Sequence, residues 1–382
     1  MEFDFQWLLV GLPVAFAFGW LASRIDVRQL RRESRNAPKA YFKGLNLLLN
    51  EQHDKAIDAF IEAVQHDPDT TELHFALGNL FRRRGEFERA VRVHQHLLGR
   101  ADLASADRDR AQHALAQDFM RAGLFDRAEE AYRALAGSSF DSEARLALLN
   151  LHERARDWRA AAETAAVLER SGTGAFGIRI AHHWCELALE ADGRGDTEAA
   201  SAALQQARQV APQAPRPLLL IGQRLARAGQ HAQALAIWSE LRLCDHASFQ
   251  LVAADCADSA VACGQTEWLR PMLQASYEAA PGIDLLRALA GLDGLTLAES
   301  PGLLAHLRAQ PTLTAAQAML SRASAAWDTD SAQAVAAAVD LAAKPLQRYR
   351  CASCGFEAQR YFWQCPGCLS WDSFPARRID EQ

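Results

Sequence analysis

The sequence predicts an all-α chain: a long array of stacked helical hairpins, with one apolar helix ahead of it and a small metal-bound module behind. Three observations carry this expectation. Apolar side chains recur at helical spacing through the middle of the chain, in units about 34 residues long. Residues 5–23 are apolar and carry no charge. Four of the eight cysteines crowd between Cys351 and Cys368.

Composition bounds the alternatives. The chain has 382 residues, enough for two or three domains at about 150 residues each. Its 49% hydrophobic and 23% charged residues exclude a long disordered chain. A net charge of −6 argues against general nucleic-acid binding. A mean hydropathy of −0.16 excludes a polytopic membrane protein. Eight cysteines are too few for a secreted disulfide scaffold of this length.

The first element is a membrane anchor, residues 1–23. Its uncharged stretch of nineteen residues would make a helix of about 28 Å, close to the hydrocarbon thickness of a bilayer. Trp7 and Trp20 lie near its ends, where aromatic belts form. Pro13 is tolerated in a membrane helix. A buried core helix fits poorly with this terminal position. A cleaved signal peptide needs a basic start, whereas Glu2 and Asp4 are acidic. A basic juxtamembrane segment, residues 24–37, follows with Arg24, Arg28, Arg31, Arg32 and Arg35. Positive residues stay in the cytoplasm. The expected topology is therefore a single pass with a periplasmic N-terminus and the bulk of the chain in the cytoplasm.

Residues 38–342 form the array, with about seven to nine units. Gly44 and Gly78 are 34 apart, as are Ala56 and Ala90. This is the tetratricopeptide period and pattern. The pattern continues through Phe119, Gly123, Ala128 and Tyr132, then weakly through Leu149, Trp158 and Ala161. It returns in Trp184, Gly195 and Ala200, again in Gly222, Gly229, Ala234 and Trp238, and fades beyond Pro281. Small residues let paired helices approach, and large ones fill the gaps a turn away. One unit cannot bury its own apolar face, but stacked units can, leaving a superhelix with a protein-binding groove. The aromatic and alanine positions are therefore read as packing. Cys185, Cys244, Cys256 and Cys263 are read as ordinary thiols, and the adjacent His182 and His183 as facing different sides of a helix. No catalytic motif is found, so the chain is expected not to be an enzyme.

Residues 346–382 form the last element. Cys351-x2-Cys354 and Cys365-x2-Cys368 are two tight turns, each aiming two thiolates at one centre. Gly355 and Pro366 suit such knuckles, as in rubredoxins and zinc ribbons. One tetrahedral metal ion, zinc or iron, is expected on Cys351, Cys354, Cys365 and Cys368. Two disulfides or four free thiols fit a reducing cytosol badly. Tyr349, Phe356, Tyr361, Phe362, Trp363 and Trp371 are expected to make an aromatic core around the metal. With no second redox centre in the sequence, a structural metal is favoured over electron transfer.

Several stretches together resemble the LapB (YciM) family, lipopolysaccharide assembly protein B: Leu-Pro-Val-Ala at 12–15, Leu-Gly-Asn-Leu-Phe-Arg at 77–82, Ala-Gly-Leu-Phe-Asp-Arg-Ala-Glu at 122–129, His-x-x-Cys-Glu-Leu-Ala-Leu at 182–189, Arg-Tyr-Arg-Cys-x-x-Cys-Gly-Phe at 348–356 and Trp-x-Cys-Pro-x-Cys at 363–368. The resemblance implies a rubredoxin-like module packed against the repeats, with its four cysteines required. It also implies an inner-membrane adaptor that regulates lipid A synthesis by presenting the deacetylase LpxC to the membrane protease FtsH. A PbgA/YejM-type membrane regulator and other lipopolysaccharide assembly proteins would be its partners. Nucleic acid is not expected among them, and the sequence leaves monomer and homodimer open. The alternatives are a membrane-tethered scaffold without a proteolytic role and a rubredoxin-like electron carrier.

Overall fold

The computed structural model describes residues 42–381, except 48, 51, 67–69 and 322–328, and also Phe16 and Trp20. The expected anchor and basic segment therefore lie outside the described residues. Among the described residues no helix is long and apolar enough to cross a membrane.

The chain folds as helical hairpins of the tetratricopeptide type followed by a small cysteine module. Two compact units are formed, residues 1–155 and 156–382. The first contains α1 (His53–His66), α2 (Thr71–Arg84), α3 (Phe87–Leu98), α4 (Ser105–Ala122), α5 (Phe125–Arg133) and α6 (Asp141–Ala155). The second begins with α7 (Trp158–Arg170), α8 (Gly177–Gly193), α9 (Thr197–Val210), α10 (Pro215–Arg227) and α11 (His231–Cys244). It continues with α12 (His246–Phe249), α13 (Ala253–Cys263), α14 (Thr266–Ala279), α15 (Ile283–Leu292), α16 (Leu303–Ala309), α17 (Leu313–Leu320) and α18 (Thr329–Ala343). Beyond these lies a two-stranded sheet of β1 (Tyr349–Arg350) and β2 (Glu357–Ala358), antiparallel with Tyr349 opposite Ala358.

The repeat has a direct physical cause. Three hairpins place a glycine on one helix against a ring sixteen positions later. A methyl added to Gly44 would lie 3.0 Å from the Phe60 ring. At Gly78 it would lie 2.5 Å from His94, and at Gly222 only 2.1 Å from Trp238. Trp238 is fully buried and its indole N–H donates to the Leu219 carbonyl at 3.4 Å, so it has no room to retreat. Gly222→Ala is expected to cost about 1–3 kcal/mol by overpacking. Gly193→Ala, whose added methyl meets nothing within 4 Å, should be near neutral in the same thermal-unfolding measurement.

The turns have their own signature. α2 ends on Gly85 in the left-handed region, φ 84°, whose N–H bonds back to the Arg82 carbonyl. At the equivalent turn after α6, Arg156 stands at φ 58°. A side chain there costs roughly 1–2 kcal/mol; with Leu149 in the place of the small residue and Ala165 in that of the ring, it makes the fourth unit read as degenerate. Within the first unit, buried Asp118 ties neighbouring hairpins. One of its oxygens accepts from Arg82 at 2.9 Å and the other pairs with His94 Nδ1 at 2.5 Å.

Candidate metal centre and its seat on the repeats

Both knuckles are built the same way. The Cys351 N–H donates to the Phe356 carbonyl at 2.9 Å, and the Gly355 N–H returns to the Cys351 carbonyl at 2.9 Å. In the second knuckle Cys365 N–H donates to Ser370 at 2.9 Å and Leu369 N–H to Cys365 at 2.8 Å. Each turn closes on a left-handed residue, Gly355 at φ 77° and Leu369 at φ 60°. Two equivalent turns thus face each other across one point.

All four sulfurs lie within 4.8 Å of one another. Cys351 and Cys368 are 3.8 Å apart, and Cys354 and Cys365 are 3.7 Å apart. A tetrahedron with metal–sulfur bonds of about 2.3 Å has edges of about 3.8 Å, whereas a disulfide would need about 2.0 Å. The donor set therefore fits one tetrahedral metal ion and excludes paired disulfides. Cys351 and Cys365 are buried, while Cys354 and Cys368 are exposed.

Local hydrogen bonding favours thiolates at two of these positions. Burial works against ionisation of Cys351. The Ser373 hydroxyl and the N–H groups of Cys354 and Ser353 outweigh it and bring the thiol down to about 6. The Ser370 hydroxyl and N–H lower Cys368. At Cys354 the Phe356 N–H favours the thiolate, yet burial and the neighbouring sulfurs prevail and push the thiol up to about 12. A metal must displace the remaining protons as it binds.

The aromatic residues divide differently from the sequence expectation. Tyr349 and Phe374 are buried beside Cys351 and Cys365, with Tyr361 and Phe362 partly buried around them. Phe356 is exposed on the outer face. Trp363 packs edge-on against Tyr361 at 5.0 Å and also against the apolar core of the repeats. Trp371 stands outside this inner core and turns to the repeats, since a core of so few residues is too small to enclose six aromatics.

The seat is formed by α8 and α10. Trp371 stacks on His182 with ring centroids 4.7 Å apart and planes 10° apart. His182 Nε2 lies 2.9 Å from the Asp372 carboxylate. His183 meets Trp371 edge-on at 5.8 Å, and Trp158 does so at 6.2 Å. Arg216, only 4% exposed, pairs with Glu186 at 2.6 Å. Its guanidinium lies 5.7 Å from the Trp363 ring and 6.0 Å from Trp371. The two adjacent histidines are thus both buried under the module. The expectation that they face different sides of the helix fails, because both rings meet Trp371, and this shared seat has no local sequence signal. Cys185 and Cys256 are buried apolar thiols raised by desolvation, in line with the ordinary reading.

A second clamp comes from the tail. The Glu381 carboxylate accepts the Ile283 N–H at 3.0 Å, and Asp380 accepts the Thr314 hydroxyl at 2.5 Å. Arg378 reaches Asp284 at 3.3 Å. Acidic side chains thereby satisfy orphan N–H groups at the starts of α15 and α17.

The seat is expected to weaken at acidic pH. Burial holds the His182 pKa below its ordinary value. The facing Asp372 opposes this, and Arg216 and His183 add to it. A released His182 returns to about 6.5. The neutral ring is the docked form, so this contribution is fully present above about pH 6.5 and is lost as pH falls through the docked value. Protease cleavage around Lys344–Arg348 should be faster at pH 5 than at pH 7.5 with metal content unchanged. His182→Gln should abolish that difference.

Comparison with known proteins agrees with this anatomy. The family described as "Rubredoxin metal binding domain" matches residues 349–375. The tetratricopeptide repeat family matches residues 43–94, 113–175 and 185–244. The chain is 31% identical to lipopolysaccharide assembly protein B of Escherichia coli (strain K12), covering 98% of both chains. It is 28% identical to the protein of the same name from Haemophilus influenzae (strain ATCC 51907), covering 96% of both. A crystal structure of MamA covers 47% of the chain at 18% identity, with a TM-score of 0.34, and adds nothing to the fold assignment.

Proposed function

The chain belongs to the lipopolysaccharide assembly protein B family, and on that premise we propose that it is a non-enzymatic adaptor regulating lipopolysaccharide synthesis at the inner membrane. Its end-to-end likeness to proteins of that name carries the reading, since the array and the cysteine module are both included. Stacked helical hairpins are surfaces for protein partners. The metal module, seated across α8 and α10, braces the repeats that present such a surface. The anchor at residues 1–23 would hold the array beside membrane partners and raise their effective concentration.

In its sharper form, the array receives the deacetylase LpxC and delivers it to the membrane protease FtsH, under restraint by a PbgA/YejM-type protein. The cysteine site holds zinc or iron in a structural role. The bound ion would fold the knuckles, and the residues around it orient Trp363 and Trp371. The test is depletion of the protein in its own cells, following the half-life of the deacetylase. A longer half-life is expected. An unchanged half-life with disturbed lipopolysaccharide assembly would favour a scaffold without a proteolytic role.

A further inference from the structure

A cavity of about 930 Å³ lies between the last helices and the strand that enters the metal module. Four cations line it, Arg287, Lys344, Arg348 and Arg378, against one carboxylate, Asp340. The other nearby acids stand outside the lining. Asp284 is shared, 2.6 Å from Arg287 and 3.3 Å from Arg378. Asp340 holds Lys344 at 2.9 Å. Glu357 is committed to Arg350 at 2.8 Å and stands 3.9 Å from Arg348. Arg348 Nε is buried and has no hydrogen-bond partner. Asp380, held by Thr314, and Glu381, which acts on Arg378, bring the surrounding acids level with the cations, but neither lines the cavity, where four cations face one carboxylate.

We propose that this cavity is a binding site for a phosphate-bearing ligand, with Arg348 as its central contact. Planar guanidiniums pair bidentately with phosphate oxygens, and Arg348, a lining residue, keeps its Nε–H unpartnered. Gln317 on α17 donates to Asp340 at 2.7 Å and so engages the one carboxylate of the lining. The volume suits a small organic phosphate rather than a bare carboxylate. Arg348 leads directly into β1, and Arg378 belongs to the tail clamp. A bound phosphate therefore ties α17 and α18 to the metal module and should stabilise that end of the chain. The phosphate could be carried by a soluble metabolite or by a lipid headgroup, and the two share this recognition chemistry.

The test uses the metal-loaded full chain in neutral detergent, titrated with pyrophosphate and, separately, with dioctanoyl phosphatidic acid. Saturable binding of at least one probe is expected. Arg348→Gln, with metal content confirmed, should weaken it at least tenfold, and Arg287→Gln should weaken it several-fold. Arg350→Gln removes the same charge outside the cavity and should change it less than twofold. Tighter binding of pyrophosphate assigns a soluble ligand, and tighter binding of the lipid assigns a headgroup. Absence of saturable binding to either probe, or equal loss in Arg348→Gln and Arg350→Gln, overturns the proposal.

Discussion

Replacing Cys351 and Cys354 with Ser is expected to unfold residues 349–375 and leave the helical repeats standing. The reason is the size of the module's core. Tyr349 and Phe374 are its buried aromatics, its strands are two residues long, and half of its cysteines face solvent. Such a core cannot offset the entropy of ordering the segment. Metal binding contributes roughly 10–16 kcal/mol of apparent free energy in comparable small sites. The double variant should lose bound metal and near-ultraviolet tryptophan dichroism while keeping its helical signal. A chelator should do the same to the unaltered chain. A metal-free variant whose module still resists protease would show that the fold does not depend on the metal.

The second large effect is expected at Trp371. Truncating a fully buried tryptophan to alanine costs about 3–5 kcal/mol, and Trp371 is half-buried, so its cost should fall toward the lower end. Here the loss falls on the contact with His182, His183 and Trp158 rather than on the metal site. Trp371→Ala should therefore retain its metal and release the module, so that protease cleaves around Lys344–Arg348 faster. Phe356→Ala, on the exposed face of the same module, should change neither metal content nor cleavage. If Trp371→Ala loses metal in step with its docking, the indole is part of the metal fold and the seat has been misassigned.

The fold was legible in the sequence wherever the determining chemistry is local. A C-x2-C turn needs nothing beyond its own residues to point two sulfurs inward, so spacing alone marks the site. Gly44, Gly78 and Gly222 record close helix approach at a fixed distance from a partner ring, so the period is readable. Where positions break the rule, as with Leu149, Ala165 and, at a left-handed turn, Arg156, the unit fades although the hairpin persists. The seat was illegible for the opposite reason. His182 and Asp372 are 190 positions apart, and an adjacent histidine pair on an apolar helix looks like ordinary core. Trp371 departs from the expected inner core because nothing local says which way an aromatic beside a metal motif turns, whereas Trp363 keeps its contact with Tyr361. One signal was available: six aromatics are more than so short a module can enclose, so some had to find another surface.

The account rests on a metal-folded module that clamps the repeats, and hydrogen exchange tests this most directly. Amides of α8 and α10 around His182 and Arg216 should be protected in the metal-loaded chain. Removing the metal should raise their exchange while leaving α2 and α3 of the first unit unchanged. Unaltered exchange in α8 and α10 after complete metal loss would contradict the account.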